Sequence, residues 1–221
     1  AKKTDVSIFS KTIYKINEKV SAYLDLQGRF VSYQTKGLTS DRNPIDVATN
    51  FNFFNPKAGF IYRIADENSL YLSYARANRE ANRNDFENGI SSPEVLDDIE
   101  FGWRYKNDRI HLNTNIYYMN YKNQLVLTGA IDDVGAPIRA TSGKSYRLGL
   151  EIDANLIVSD QFSIKSNAAF STNKNQDFTA PINGNLINLG NTPLSFSPNI
   201  IVGNMLIYKP TDNFQISFLS K

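Results

Sequence analysis

The chain has 221 residues, 41 % of them hydrophobic, with 24 Lys and Arg against 22 Asp and Glu, one His and no Cys. A net charge of +2 spread over interleaved acids and bases leaves no footprint for nucleic acid, and the lack of Cys removes thiolate metal sites, Cys nucleophiles and disulfides. No window approaches the roughly 18 to 20 uninterrupted apolar residues of a spanning helix, which excludes a helical membrane protein but not strands that show lipid at every second residue.

The N-terminus, Ala1-Lys2-Lys3-Thr4-Asp5, carries no apolar signal-peptide core. The expectation is that processing has removed one or that the chain starts inside a longer protein. After the polar turn Asn17-Glu18-Lys19, the residues Val20, Ala22, Leu24 and Leu26 alternate with Ser21, Tyr23, Asp25 and Gln27. A period of two with unlike faces is the mark of a strand. The pattern returns as Ile99, Phe101, Trp103 and Tyr105 against Asp98, Glu100, Arg104 and Lys106, and as Tyr146, Leu148, Leu150, Ile152, Ala154 and Leu156 against Arg147, Gly149, Glu151, Asp153 and Asn155. It recurs in Phe162, Ile164, Ala168 and Phe170 against Ser163, Lys165, Asn167 and Ser171.

Short polar tips at Asn17–Lys19, Ala65–Ser69, Lys106–Arg109, Ser159–Gln161 and Thr211–Asn213 alternate with longer polar loops near Leu38–Asn50, Ala81–Pro93, Thr128–Thr141 and Lys174–Pro193. This predicts an all-β fold of roughly ten antiparallel strands of about ten to sixteen residues, long enough to cross a bilayer when tilted. Tyr62, Tyr74, Trp103, Tyr105, Tyr118 and Tyr208 fall near strand ends on the apolar set, as in the aromatic girdles of a membrane barrel. A propeller has a comparable repeat but needs four short strands per period where two long ones are present. A soluble sandwich also uses amphipathic strands, but it does not explain the systematic short and long connections. The expected fold is therefore a transmembrane β-barrel segment. With short turns on the periplasmic side, both ends of the chain fall outside, so an internal fragment of a larger barrel is expected.

Several segments resemble the barrel of TonB-dependent outer-membrane receptors, in the form common in the Bacteroidetes lineage. They are Asn55-Pro56-Lys57-Ala58-Gly59-Phe60-Ile61-Tyr62 leading to Leu72-Ser73-Tyr74-Ala75-Arg76-Ala77-Asn78-Arg79-Glu80, then Pro93-Glu94-Val95-Leu96-Asp97-Asp98-Ile99-Glu100-Phe101-Gly102. Tyr118-Met119-Asn120-Tyr121-Lys122-Asn123-Gln124-Leu125-Val126-Leu127-Thr128-Gly129, Gly143-Lys144-Ser145-Tyr146-Arg147-Leu148-Gly149-Leu150-Glu151 and Phe196-Ser197-Pro198-Asn199-Ile200 follow in the family's order. The resemblance covers nearly the whole chain. It implies a barrel of about twenty-two strands around a plug. It also implies placement in the bacterial outer membrane among lipid and a TonB energy-coupling complex that acts through the plug. Residues 1–221 are then a single partial β-barrel domain, without plug or closing strands. The implied function is active uptake of a scarce solute, a ferric siderophore or another iron chelate, with no enzyme activity and no cofactor. The competing readings are a passive porin or adhesin barrel and a soluble β-sheet binding protein.

Where a strand emerges into an outer loop, Arg79, Asn82, Arg83 and Asp85 are the candidate substrate-binding residues, since guanidinium donors pair with carboxylate, catecholate or phosphate oxygens. The competing reading has Arg79 and Arg83 anchoring the loop through ion pairs with Glu80 and Asp85. The family often has a proline where Ala81 stands, which leaves the loop's path open. Pro93-Glu94 resembles a family element that sets the entry of the next strand. Asp132-Asp133 make a poor calcium motif without further spaced acids, and His111 stands alone on the polar set of its strand. No metal site is expected.

Overall fold

The computed structural model describes residues 1–39, 42–131, 137–141, 143–182 and 185–221, with the side chains of 126–131, 137–140, 180–182 and 185–186 outside the description. The chain runs through β1 (Lys2–Lys15), β2 (Val20–Leu38), β3 (Pro44–Ala65), β4 (Asn68–Arg79), the short helix α1 (Arg83–Glu87), β5 (Glu94–Lys106) and β6 (Ile110–Lys122). It continues through β7 (Leu125–Ile131), β8 (Pro137–Thr141), β9 (Lys144–Ser159), β10 (Phe162–Gln176), β11 (Thr179–Ile182), β12 (Asn185–Asn188), β13 (Ile200–Thr211) and β14 (Phe214–Ser220). Ten of the strands form one antiparallel sheet in the order β1-β2-β3-β4-β5-β6-β9-β10-β13-β14. The pairs β7–β8 and β11–β12 are separate hairpins inside two of the long connections.

The five short tips lie at one rim, and local hydrogen bonding explains two of them. Asn17 Oδ1 accepts from the backbone N–H groups of Lys19 and Val20, and Asn107 Oδ1 accepts from those of Arg109 and Ile110. An Asn side chain that satisfies the backbone two and three residues on makes a tight reversal favourable.

Strand register converts the alternation into two unlike faces. Ala22, Phe60, Leu72, Phe101, Ile116, Leu150, Phe170 and Ile200 stand directly beside one another across eight strands. Phe60 is 56 % exposed and Phe101 46 %. Among the described residues, tertiary contacts run between adjoining strands of the one sheet, with no second sheet stacked on this row. A sandwich would bury these side chains. A barrel wall turns them to lipid, which removes them from water without a second protein layer. The opposite face carries Ser73, Glu100, Tyr117, Gly149 and Ser171 in the next row, the polar lining of a lumen.

Two loops are shorter than the sequence suggests. The connection expected over Leu38–Asn50 closes within residues 39–43, because β2 and β3 keep pairing out to Leu38 opposite Pro44. These strands reach 19 and 22 residues. The pairing of β3 with β4 ends at Lys57 opposite Ala75, beside Pro56, which has no N–H to donate. From there β2 and β3 continue without β4, while β1 stays paired with β2 as far as Lys2 opposite Gln34. Likewise β10 continues to Gln176, so Lys174 lies in the wall and not in the loop.

Candidate functional site

The β2–β3 hairpin presents Val31, Phe51 and Phe53 on its lumenal side as a small buried cluster, and Phe86 of α1 packs against it. Phe86 also stacks on Tyr33 with ring centroids 5.4 Å apart. Ala81 and Ile90 are buried on either side of the helix. The segment after β4 therefore folds back onto the inner surface of the long-loop rim instead of standing out in water.

A capping box starts α1. The Asn82 side chain accepts from the Asp85 N–H, and the Asp85 carboxylate accepts from the Asn82 N–H at 2.9 Å. Reciprocal bonds of this kind satisfy the donors that a helix start leaves open. Asp85 is 1 % exposed, with its second carboxylate oxygen buried and without a hydrogen-bond partner.

Glu80 fastens the base of this segment to the wall. Arg29 donates to its two carboxylate oxygens at 2.8 and 2.9 Å, and Lys3 Nζ donates to it at 2.5 Å. Arg29 also grips Asp5 on β1, so one guanidinium ties β1, β2 and the loop together. Burial pushes the Glu80 carboxyl up, but the hydrogen bonds from Lys3 and Arg29 outweigh it and hold the group below its ordinary value of 4.5.

The four residues proposed from sequence come together on this segment, engaged with the protein itself. Arg79 reaches Glu94 at 3.3 Å, and Arg83 reaches Glu87 at 2.6 Å while donating to the Leu38 carbonyl at 2.8 Å. The ion-pair partners are thus Glu94 and Glu87, not Glu80 and Asp85. Charge spacing along a loop cannot show which acids the fold brings near. Glu94 in turn accepts from the Leu125 N–H, and Asn123 donates to the Pro93 carbonyl, so Pro93-Glu94 braces two neighbouring loops. Arg79 and Arg83 keep 48 % and 39 % of their side-chain surface open. Asp132 and Asp133 lie outside the described residues. His111 faces the lumen near the short-turn rim, between Lys106 and Asn155, and the described residues contain no group of acids, His or Cys suited to a metal.

Sequence reasoning missed the Lys3, Asp5, Arg29 and Glu80 network, whose members are as many as 77 positions apart. It also missed a lumenal hollow of about 550 Å³ lined by Tyr71, Arg104, Asn115, Glu151, Asp153 and Asn167. There the Arg104 guanidinium sits 4.4 Å from the Tyr71 ring centre, and the Tyr71 hydroxyl donates to Asn115 at 3.0 Å. The signal available was the polar half of each alternating strand, read across strands and not along one.

Residues 1–220 match the family described as TonB dependent receptor-like, beta-barrel. The chain belongs to this family. Its members are receptors and transporters of the Gram-negative outer membrane, which accounts for a lipid-facing apolar row and a polar inner face. The search of curated proteins found no match. Among solved structures, this receptor barrel is similar to the siderophore receptor PiuA from Acinetobacter baumannii, with 17 % identity and a TM-score of 0.75 over 97 % of this chain and 32 % of that one. It is similar to the ferric yersiniabactin uptake receptor FyuA from Yersinia pestis, with 14 % identity and a TM-score of 0.67 over 97 % and 33 %. It is also similar to the copper transporter OprC, with 14 % identity and a TM-score of 0.70 over 95 % and 33 %. The chain spans about a third of the length of these structures, and at such identities the likeness establishes the fold alone.

Proposed function

We propose that the chain is part of the barrel wall of a receptor that takes up a ferric siderophore or another iron chelate, with a plug and the TonB energy-coupling complex supplying the release step. The observation that carries this reading is the segment after β4, folded back over the lumenal side of the long-loop rim. Such a segment meets a solute arriving from outside before the solute reaches the lumen. The siderophore receptor PiuA and the ferric yersiniabactin uptake receptor FyuA support the iron reading as proteins of the same fold, while the copper transporter OprC favours a metal-bearing cargo in general. The Bacteroidetes assignment is supported by the sequence segments Asn55–Tyr62 and Pro93–Gly102.

Within this reading Arg79 and Arg83 are the anion-contacting residues, because their guanidinium groups retain open surface beside Glu94 and Glu87. Asn82 and Asp85 shape the loop through the cap, and the burial of Asp85 keeps it from the solute. A strain lacking the full-length receptor should lose growth on one class of ferric chelate as sole iron source. Arg79→Ala with Arg83→Ala should weaken binding of that chelate by about tenfold or more, as expected for two charge-assisted contacts. Undiminished iron uptake in the deletion strain on every chelate would remove the iron reading.

A further inference from the structure

We propose that Lys122, Lys144 and Lys174 form a binding site on the outside of the barrel for the phosphate of an outer-leaflet lipid headgroup. The inference rests on the orientation of the wall in the outer membrane and is independent of the solute taken up.

Lys122 ends β6 and Lys144 begins β9, and the two residues stand directly opposite each other in the β6–β9 register. Lys174, near the end of β10, is paired with Tyr146, which places it diagonally beside Lys144. All three share the face of Leu148, Leu150 and Phe170, the face turned to lipid. They also share the long-loop rim, because the short turns 107–109 and 160–161 lie at the other ends of these strands.

Like charges directly opposite on a sheet repel, and three on adjoining strands are unfavourable unless something neutralises them. Among the described residues none of the three lysines forms an ion pair, although Lys122 lies near enough to Asp97 to favour its charged form. The acid on the same face of β5, Asp97, is taken by Arg76 at 2.7 and 2.8 Å and by the Tyr74 hydroxyl. An anion bound between the three lysines would relieve this repulsion.

The layers beneath the lysines say what kind of anion fits. One row in from Lys122 and Lys144, Tyr146 stands between Asn120 and Lys174; Tyr118, its ring centroid 6.2 Å from that of Tyr146, lies a row further in beside Leu148, followed by Ile116, Leu150 and Phe170. Cations above tyrosines above a continuous apolar band match the order of phosphate, headgroup and acyl chain in a lipid. Free phosphate would use only the top layer.

The test uses the full-length receptor extracted from outer membranes in detergent. Native mass spectrometry would score retention of a diphosphorylated, acylated glucosamine disaccharide and of the same lipid with its phosphates removed. The triple variant Lys122→Gln, Lys144→Gln, Lys174→Gln should retain the phosphorylated lipid about tenfold less than the wild type, given the attraction of each cation to an anionic surface. The corresponding triple Arg variant should retain it fully. Lys36→Gln is the control, since Lys36 lies on another strand and is already paired with Asp46 at 2.9 Å. Heat-dependent gel mobility confirms that each barrel is folded. If the triple Gln variant does not insert, Lys144→Gln alone should still show a loss. Equal retention by wild type and Gln variants overturns the proposal. So does equal retention of the dephosphorylated lipid, or full displacement of the lipid by millimolar inorganic phosphate.

Discussion

The ring of Tyr71 on β4 occupies the space that a Cβ on Gly102 of β5 would need: an added carbon would lie 2.1 Å from the ring edge. The two residues are direct cross-strand partners on the lumenal face, and the pairs Tyr23 with Gly59 and Tyr117 with Gly149 repeat the arrangement. Each aromatic covers a position without a side chain on the strand that returns from a long loop. The glycine lets the ring lie close to the backbone, and the ring shields that backbone from the lumen.

Gly102→Ala should therefore force Tyr71 off its seat, breaking its bond to Asn115 and its contact with Arg104. The expected loss is about 1 to 3 kcal/mol. Tyr71→Ser should relieve much of that loss in the double variant, so the two changes are not additive. Gly28→Ala, whose new carbon meets only ordinary contacts at 3.6 Å, should stay within about 0.5 kcal/mol. Urea titration of the full-length receptor in detergent, followed by gel mobility, measures all four.

Glu80 makes the rim segment sensitive to acid. Its folded value lies below the ordinary 4.5, so the stabilisation is present above 4.5 and is lost as pH falls through the lowered folded value. Protection of residues 80–90, taken relative to free amides at the same pH, should hold from neutral pH to about 5 and fall as the pH drops through the lowered folded value of Glu80. Glu80→Gln should show the fast exchange already at neutral pH. Protection that persists in this variant would mean that Phe86 and the cap hold the segment without the ionic anchor.

Asn82→Ala should loosen α1 by about 0.5 to 2 kcal/mol, and Asn82→Gly by only a few tenths, since the cap bond is lost in both but glycine leaves the open N–H groups accessible to water. The readout is exchange at the N–H groups of Phe86 and Asn88, which donate to the carbonyls of Asn82 and Asn84. Equal effects of the two substitutions would argue that burial, not capping, sets the helix.

Phe101→Arg should cost about 2 to 4 kcal/mol in bilayers, because the guanidinium would be driven into hydrocarbon. Ala169→Arg, one row away on the lumenal face beside Ile201, should be far milder. Unfolding titrations in lipid vesicles compare the two. Equal losses would contradict the assignment of the faces.

Much of the wall was legible in the chain. The alternation from Tyr146 to Leu156 predicts the two faces of β9, and the tips at Asn17–Lys19 and Asn107–Arg109 carry the side chains that close the turns. The loop expected over Leu38–Asn50 exceeds the observed one because its polar outer residues obscure a lumenal series, Ile45, Val47, Thr49, Phe51 and Phe53, that pairs with β2. The candidate site was legible in place but not in partners. Arg79 and Arg83 do lie on the rim segment, yet the acids they meet depend on how that segment turns.

Sequence alone determined where the short turns fall and which side chains alternate, though not how far β2, β3 and β10 extend, because a strand's faces follow from local geometry with a period of two. It also determined that no helix crosses the membrane. Only the tertiary structure decided which residues meet across strands: Arg29 with Glu80, Tyr71 with Gly102, and Lys122 with Lys144. Those meetings depend on register and on the inward path of one loop, and both are settled by the sum of many long-range contacts.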